Sequence, residues 1–246
     1  MFILGISSFY HDSAAVLIKD GVVIAAAEEE RFTRVKHDNS FPYQAIKFCL
    51  NNSRIGIEDI DYIAYYEKPL LKFERILSNF ITTYPRSLRS FVQSMPEWLG
   101  EKIQVKNVIK KKLKYSGKIY FVPHHLSHAS AAYYTSLYTS SAILTIDGVG
   151  EYQTTALWSA NESKITLLKE MEYPNSLGLL YSTFTAFCGF QVNEGEYKLM
   201  GLAAYGKQKY IQDIYKLVYV RPDVCFRTDM NYFSYGFGEK MFSHKF

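Results

Sequence analysis

The sequence predicts an α/β fold that opens twice in the same way, with three strands followed by a helix. In the first copy the strands are FILGISSF, SAAVLIKDG and VVIAAAEEERF, and the helix is YQAIKFCLNNS. In the second copy the strands are AILTIDG, YQTTALWSA and KITLLKEMEY, and the helix is SLGLLYSTFTAFCGF. An aspartate near the end of the first strand, Asp12 or Asp147, marks each copy. A pattern repeated in this way indicates an internal duplication.

Local signals support each element of the first copy. A Lys-Asp-Gly segment between the second and third strands is typical of a β-hairpin turn. Pro42 is well suited to the start of a helix whose apolar positions include Ala45, Ile46 and Cys49. The next apolar run, IDYIAYYE, predicts a fourth strand. The three glutamates Glu28–Glu30 predict the solvated end of a strand rather than a catalytic carboxylate pair.

The predicted domain organisation follows from the two openings. Residues 1–122 form the first lobe, residues 123–140 form a helix and linker, and residues 141–246 begin a second lobe. We expect AILTID to be a buried strand that opens onto a Gly-rich turn. After Lys207 the sequence predicts one helix, a short strand and a tail, which is too little to complete a second lobe of the first one's size.

Composition sets broad limits on function. The chain has 246 residues, 48% hydrophobic and 21% charged, which is ordinary for a globular enzyme. Its net charge of +4 is too small to indicate nucleic acid as a partner. Three widely spaced cysteines predict reduced core thiols, and neither a signal peptide nor an apolar run of spanning length is evident. We therefore expect a cytoplasmic protein with no membrane partner.

Two histidines four residues apart are the strongest chemical signal. His124 and His128 lie in HHLSHASAAYY, whose alanines favour a helix, so both imidazoles project from one face. A strand-end carboxylate such as Asp147, facing such a pair, makes a two-histidine, one-carboxylate metal site with open coordination positions. His125 points about 100° away on the helix, which favours packing or capping over metal binding. The pattern alone leaves a second interpretation open, in which these are surface or capping histidines.

Six sequence blocks resemble one known family. The blocks ILGISSFYHDSAAVLIKDG, AAAEEERFTRVKHDNSFP, HHLSHASAAYY, ILTIDGVGE, SLGLLYSTFTAFCGF and GEYKLMGLAAYGK resemble, in this order, the N-terminal part of carbamoyltransferases of the NodU/CmcH type. The resemblance covers residues 3–207. It implies the actin and sugar-kinase-like (ASKHA) architecture, with duplicated mixed-sheet lobes of which the second is incomplete here.

The resemblance implies a role for particular residues. An iron ion, Fe(II) or another divalent metal in its place, would be held by His124, His128, Asp147 and a later aspartate beyond residue 246. His11 would be the general base that takes the proton of the acceptor hydroxyl.

Four further residues are implied to contact substrates. Lys36 corresponds to a basic residue that contacts carbamoyl-adenylate or the acceptor, and Asp12 is a second substrate-binding candidate. Lys198 and Gly201 correspond to a loop near the adenylate. From the residues alone, Asp12 could instead cap a turn, Lys36 could form only a surface ion pair, and Gly201 could serve a tight turn.

The resemblance implies an enzyme that carbamoylates a small-molecule or sugar hydroxyl. Carbamoyl phosphate and ATP would be its co-substrates, and carbamoyl-adenylate the donor. The remaining lobe and an adenylate-forming domain would be needed, in the same or a separate chain. Alternatives are a non-catalytic metal-binding remnant, one subunit of a split enzyme, or a small-molecule kinase or ATPase of the same superfamily. The kinase is the weakest alternative, because such enzymes do not need the histidine pair.

Overall fold

A computed structural model describes residues 1–222, 225–238 and 240–246 of the chain. The chain divides into two compact units. The first unit comprises Met1–Leu70 and Met95–Ser127, and the second comprises Leu71–Ser94 and His128–Phe246.

The first unit is built on a five-stranded mixed sheet. Its strand order is β3-β2-β1-β4-β5, with β1 antiparallel to β2 and parallel to β4. The strands are Phe2–Ser7 (β1), Ala14–Lys19 (β2), Val22–Glu28 (β3), Tyr62–Tyr65 (β4) and Lys118–Phe121 (β5). The helices of this unit are Glu30–Thr33 (α1), Tyr43–Ser53 (α2) and Val105–Leu113 (α5), with a 3-10 turn at Ile57–Asp59 and a π-helical turn at Trp98–Lys102. The predicted order of strand, strand, strand, helix and strand is confirmed.

The hairpin between β2 and β3 has the predicted turn. Lys19 pairs with Val22, which leaves Asp20 and Gly21 as a two-residue loop. Both loop residues have positive φ, 50° and 86°, as a turn matching the twist of the strands requires. The Asp-Gly pair therefore sets the register of the hairpin.

One face of this sheet carries the hydrophobic core. Leu4 and Leu17 are fully buried there, together with Ile46 of α2 and Ile109 of α5. Each buried side chain of this size contributes on the order of 1.5–3 kcal/mol. Helix α5 carries consecutive lysines near its end, and its buried face contributes Val105, Ile109 and Leu113 to this core.

The second unit repeats the three-strand opening. Its main sheet has the order β6-β7-β8, and both pairs are antiparallel. The strands of this unit are Ser140–Ile146 (β6), Gln153–Asn161 (β7), Lys164–Glu172 (β8), Val218–Val220 (β9) and Phe226–Thr228 (β10). Its helices are Leu177–Phe187 (α7), Glu196–Ala203 (α8) and Ile211–Leu217 (α9). The α/β class and the repeated opening are thus confirmed, and β10 is an element that the sequence did not predict.

Strand β6 is not the buried strand that was expected. Ile143 and Thr145 are buried, but Leu144 and Ile146 are 61% and 51% exposed. Leu144 pairs with Leu157, which is also exposed, so the apolar surface continues onto β7. The expectation failed because apolar residues occupy both faces of the strand, which hides the alternation of a half-buried strand.

Three further helices complete the described elements: Pro69–Thr83 (α3), Leu88–Glu97 (α4) and His124–Tyr134 (α6). The cysteines differ from the expectation of three core thiols. Cys49 is buried, but Cys188 is exposed and Cys225 is half-buried.

Candidate functional site

Helix α6 carries the histidine pair. It begins at His124, directly after Pro123, and the Ser127 hydroxyl donates to the carbonyl of Tyr66 at 2.9 Å. His128 lies one turn after His124, so both imidazoles lie on the same side of the helix. His125 is fully buried, in agreement with the expectation that it packs or caps rather than binds a metal.

Asp147 follows β6 directly, and its backbone is held from several directions. Its N–H donates to the carbonyl of Thr154 at 2.9 Å. The buried Ser176 hydroxyl contacts the carbonyls of Asp147 and Gly148 at 3.1 and 2.7 Å, and accepts from the N–H of Leu179 at 2.9 Å. Ser176 therefore caps α7 and ties that helix to the loop that carries Asp147.

A glycine allows α7 to approach this loop closely. A Cβ atom at Gly178 would lie 2.4 Å from the carbonyl oxygen of Asp147 and 2.5 Å from the nitrogen of Gly148. Both are backbone atoms, so a side chain at position 178 would displace either the helix or the loop. The position of Asp147 thus depends on a residue without a side chain.

The carboxylate of Asp147 is oriented toward the histidine pair. Its Oδ1 accepts from the N–H of Gly148 at 2.6 Å, and its Oδ2 lies 3.6 Å from Nε2 of His128. One ligand atom from each of His124, His128 and Asp147 lies within 4.8 Å of the others. Ligands about 2.0–2.2 Å from a common ion are separated by up to about 4.4 Å. The donor set of two imidazoles and one carboxylate therefore fits a divalent transition metal.

Asp12 lies between two histidines. Its Oδ2 is 2.7 Å from Nδ1 of His11, and its Oδ1 is 2.8 Å from Nδ1 of His37. Partial burial opposes ionisation of this carboxyl group, but the hydrogen bonds from His37 and His11 outweigh it and lower the pKa of Asp12 below its ordinary value. The turn-capping interpretation of Asp12 does not describe these contacts. A role for His37 was not predicted, because a separation of 25 residues from Asp12 carries no spacing signal.

Glu29 is not at the solvated strand end that was expected for the three glutamates. It is 3% exposed, and its two carboxylate oxygens accept from the N–H groups of Gln44 and Ala45 at 3.0 and 2.8 Å. These are among the first amides of α2, which have no partner within the helix. A negative charge at this end of the helix is also favourable. Glu29 is therefore structural, and its remote partners explain why the sequence did not reveal it.

The remaining predicted site residues are exposed. Lys36 follows α1 and is open to solvent. Lys198 and Gly201 lie within helix α8, not in the loop that was expected. In the first turn of helix α8, Glu196 accepts from the Ser182 hydroxyl and the N–H of Asn193. Gly201 therefore has helical backbone geometry and serves no tight turn.

A search of the described helices for a membrane span found none with the necessary length and apolar character.

Relatives were found among curated proteins and solved structures. An uncharacterized protein of Synechocystis is 50% identical over 253 residues, covering 99% of this chain and 41% of that protein. Nodulation protein NolNO of Sinorhizobium fredii is 36% identical over 219 residues, covering 87% of this chain and 30% of that protein. The structure of YeaZ from Pseudomonas aeruginosa aligns with 71% of this chain and 69% of its own at 13% identity, and its TM-score of 0.39 is too low to support an inference.

The chain spans less than half the length of these two curated relatives. A family model described as carbamoyltransferase N-terminus matches residues 2–246, which is nearly the whole chain. This match confirms the resemblance that the six sequence blocks indicated, and the chain belongs to the family of carbamoyltransferase N-terminal regions.

Proposed function

We propose that this chain is the metal-bearing, acceptor-activating part of a carbamoyltransferase. The observation that supports this most is the family match over residues 2–246, joined to the convergence of His124, His128 and Asp147. These three side chains would hold Fe(II) or another divalent ion. When bound, such an ion supplies Lewis-acid polarisation of a carbonyl group.

The transfer step needs a base and a donor. The acceptor hydroxyl oxygen forms a bond to the carbamoyl carbon, and the bond from that carbon to the phosphate oxygen of the adenylate breaks, releasing AMP. The hydroxyl proton passes to Nε2 of His11, whose Nδ1 is engaged by Asp12. The products are a carbamoylated small molecule or sugar and AMP.

The donor, carbamoyl-adenylate, would be made in another domain of the enzyme. Carbamoyl phosphate, ATP and water would give carbamoyl-adenylate, phosphate and pyrophosphate in an adenylate-forming domain. That domain would be supplied in cis or by a separate chain. Lys36 and Lys198 are exposed cations that suit the adenylate phosphate, and we retain both as candidates together with Gly201.

The test is a labelled transfer assay. The chain is fused to the remaining C-terminal part of the Synechocystis relative, and carbamoyl label is followed from carbamoyl phosphate into a panel of sugar and small-molecule hydroxyls. We expect transfer that falls by about 10²-fold or more in His11→Ala, while adenylate formation continues. The exposed His244 provides a control variant, His244→Ala, which should retain full activity. Metal binding without transfer to any acceptor would favour the non-catalytic alternative.

A further inference from the structure

We propose that His37 is a positioning residue that acts through Asp12 to fix the tautomer and orientation of His11. The inference rests on the proposed function for its catalytic meaning, but its structural content can be tested separately. The family motifs imply neither a role for His37 nor the position of Asp12 between two histidines.

The hydrogen bonds of Asp12 determine where the protons lie. An ionised carboxylate only accepts hydrogen bonds, so His11 and His37 must both donate from Nδ1. A neutral His11 that carries its proton on Nδ1 has a lone pair on Nε2. This is the tautomer that a general base at Nε2 requires.

The two histidines differ in accessibility. The side chain of His11 is 49% exposed, whereas that of His37 is 26% exposed. Within the described part of the chain, the buried Nε2 of His37 has no hydrogen-bond partner. The polar contact of this imidazole is therefore directed at Asp12. The outer histidine is placed to meet a substrate, and the inner one is placed to hold the carboxylate.

The backbone around both residues is fixed in an unfavourable conformation. Asp12 and His37 have φ values of 49° and 55°, in the left-handed region that few residues other than glycine adopt. The N–H of His37 donates to Oε2 of Glu30 at 3.0 Å, and the N–H of Ser13 donates to the carbonyl of Asp38 at 2.8 Å. The N–H of Phe9 also donates to the carbonyl of Asn39 at 2.8 Å, so two backbone hydrogen bonds link the two loops, and the bond to Glu30 ties the second loop to α1. Backbone strain maintained in this way is characteristic of functional sites.

A cation site at Asp12, Glu30 and His37 is the alternative to a positioning role. Ligand atoms of Asp12, Glu30 and His37 lie within 4.8 Å of one another. However, Asp12 Oδ1 and His37 Nδ1 are engaged with each other, and Glu30 Oε2 accepts from the His37 backbone. An ion would have to break these hydrogen bonds, so the positioning role accounts for the geometry better.

The proposed role has a direct chemical consequence. When His11 takes the acceptor proton, Asp12 stabilises the imidazolium. The second hydrogen bond, from His37, makes the carboxylate a weaker base and stops it from rotating, so the proton remains on His11. Loss of one hydrogen bond to a charged group would lower the transfer rate by about tenfold.

The first experiment is nuclear magnetic resonance of the 15N-histidine-labelled chain. The His11 signals are assigned by their disappearance in His11→Gln. We expect His11 to be the Nδ1–H tautomer in the wild type, and to switch toward Nε2–H in Asp12→Asn, because an amide can donate to Nδ1. His37→Ala should give a mixture of tautomers. His37→Asn should restore the wild-type state, because asparagine provides a donor and tolerates positive φ.

A control variant and a transfer assay separate the positioning role of His37 from the proposed carbamoyl transfer. His244→Ala should leave the His11 signals unchanged. In the fused enzyme, His37→Ala should lower transfer about tenfold and His37→Asn should restore most of it. A His11 tautomer that is the same in Asp12→Asn, His37→Ala and the wild type would overturn the positioning role, whatever the activity. The expected tautomers with no transfer to any acceptor would support the positioning role and count against the proposed function.

Discussion

The two three-strand openings share a scaffold but present different aspartates. In each, a side chain that follows the third strand caps a later helix: Glu29 accepts from amides of α2, and Ser176 accepts from an amide of α7. In the first opening, Asp12 has both oxygens engaged by imidazoles. In the second, Oδ1 of Asp147 accepts from a backbone amide, and Oδ2 is directed at an imidazole Nε2.

This difference shows how one scaffold can support two kinds of chemistry. A carboxylate whose oxygens both accept hydrogen bonds is suited to orienting its partners, as Asp12 does. A carboxylate with one oxygen directed toward histidine nitrogens is suited to sharing a cation with them, as Asp147 is. The strands and helix set the position of each aspartate, and its neighbours decide its chemistry.

Metal content gives the largest expected contrast between the two aspartates. His128→Ala and Asp147→Asn should each lower the affinity for Fe(II) by about 10²-fold or more, because a ligand is lost, whereas Asp12→Asn should bind like the wild type. The measurement is elemental analysis of protein purified without oxygen. Loss of metal from Asp12→Asn, with retention in Asp147→Asn, would reverse the assignment of the two sites.

Glu29 and Ser176, which cap helices α2 and α7, should differ in their contribution to stability. Glu29→Ala should lower the free energy of unfolding by about 1.5–3 kcal/mol, because hydrogen bonds to a buried charged group are lost. Ser176→Ala should lower it by about 1 kcal/mol, the usual effect of a lost helix cap. Urea unfolding measures both. Equal values would mean that the charge of Glu29 adds nothing to its role as a cap.

Close packing against Asp147 can be tested at Gly178. Gly178→Ala should destabilise the chain by about 1–3 kcal/mol and weaken metal binding, because the new Cβ would meet backbone atoms at 2.4–2.5 Å. The matched control is Gly100→Ala, where no atom of the described residues lies within 4 Å of the added Cβ. Unfolding curves and metal content are measured for both. A stable Gly178→Ala variant with normal metal content would show that the loop can move without consequence.

The smallest expected effect is a change in how stability depends on pH in the acidic range. The pKa of Asp12 is lower in the folded chain than in the unfolded chain, so its contribution to stability is present above the unfolded pKa of about 3.9 and is lost as the pH falls through the folded value. Asp12→Asn should therefore make stability less dependent on pH below about pH 4. Thermal unfolding at a series of acidic pH values tests this. An unchanged pH dependence would mean that the histidine contacts of Asp12 are weak in solution.

The parts of the fold that were predicted have local causes. The Asp-Gly turn, the helix start at Pro42 and the two three-strand openings follow from turn chemistry and from hydrophobic periodicity within each segment. The pairing of His124 with His128 is local too, since helical spacing alone places them on one face. Such features can be read from the sequence because their partners are a few residues away.

The parts that were missed have distant causes. Glu29 was expected in solvent because its neighbours are also glutamates, whereas its partners are helix amides 15 and 16 residues later. His37 meets Asp12 only because two loops are linked. The resemblance implied a loop around Lys198, yet the chain forms a helix there. Tertiary contacts, rather than propensity, decide these positions.

The exposed apolar face of β6 has a practical consequence for the isolated chain. Leu144, Ile146 and Leu157 present neighbouring hydrocarbon surface to water on adjacent strands. Surfaces of this kind promote association between molecules, and they do so more strongly as concentration rises. Light scattering from concentrated samples of the purified chain should therefore increase well below the temperature at which it unfolds. Polar replacements at Leu144 and Ile146 should delay that increase without altering the core.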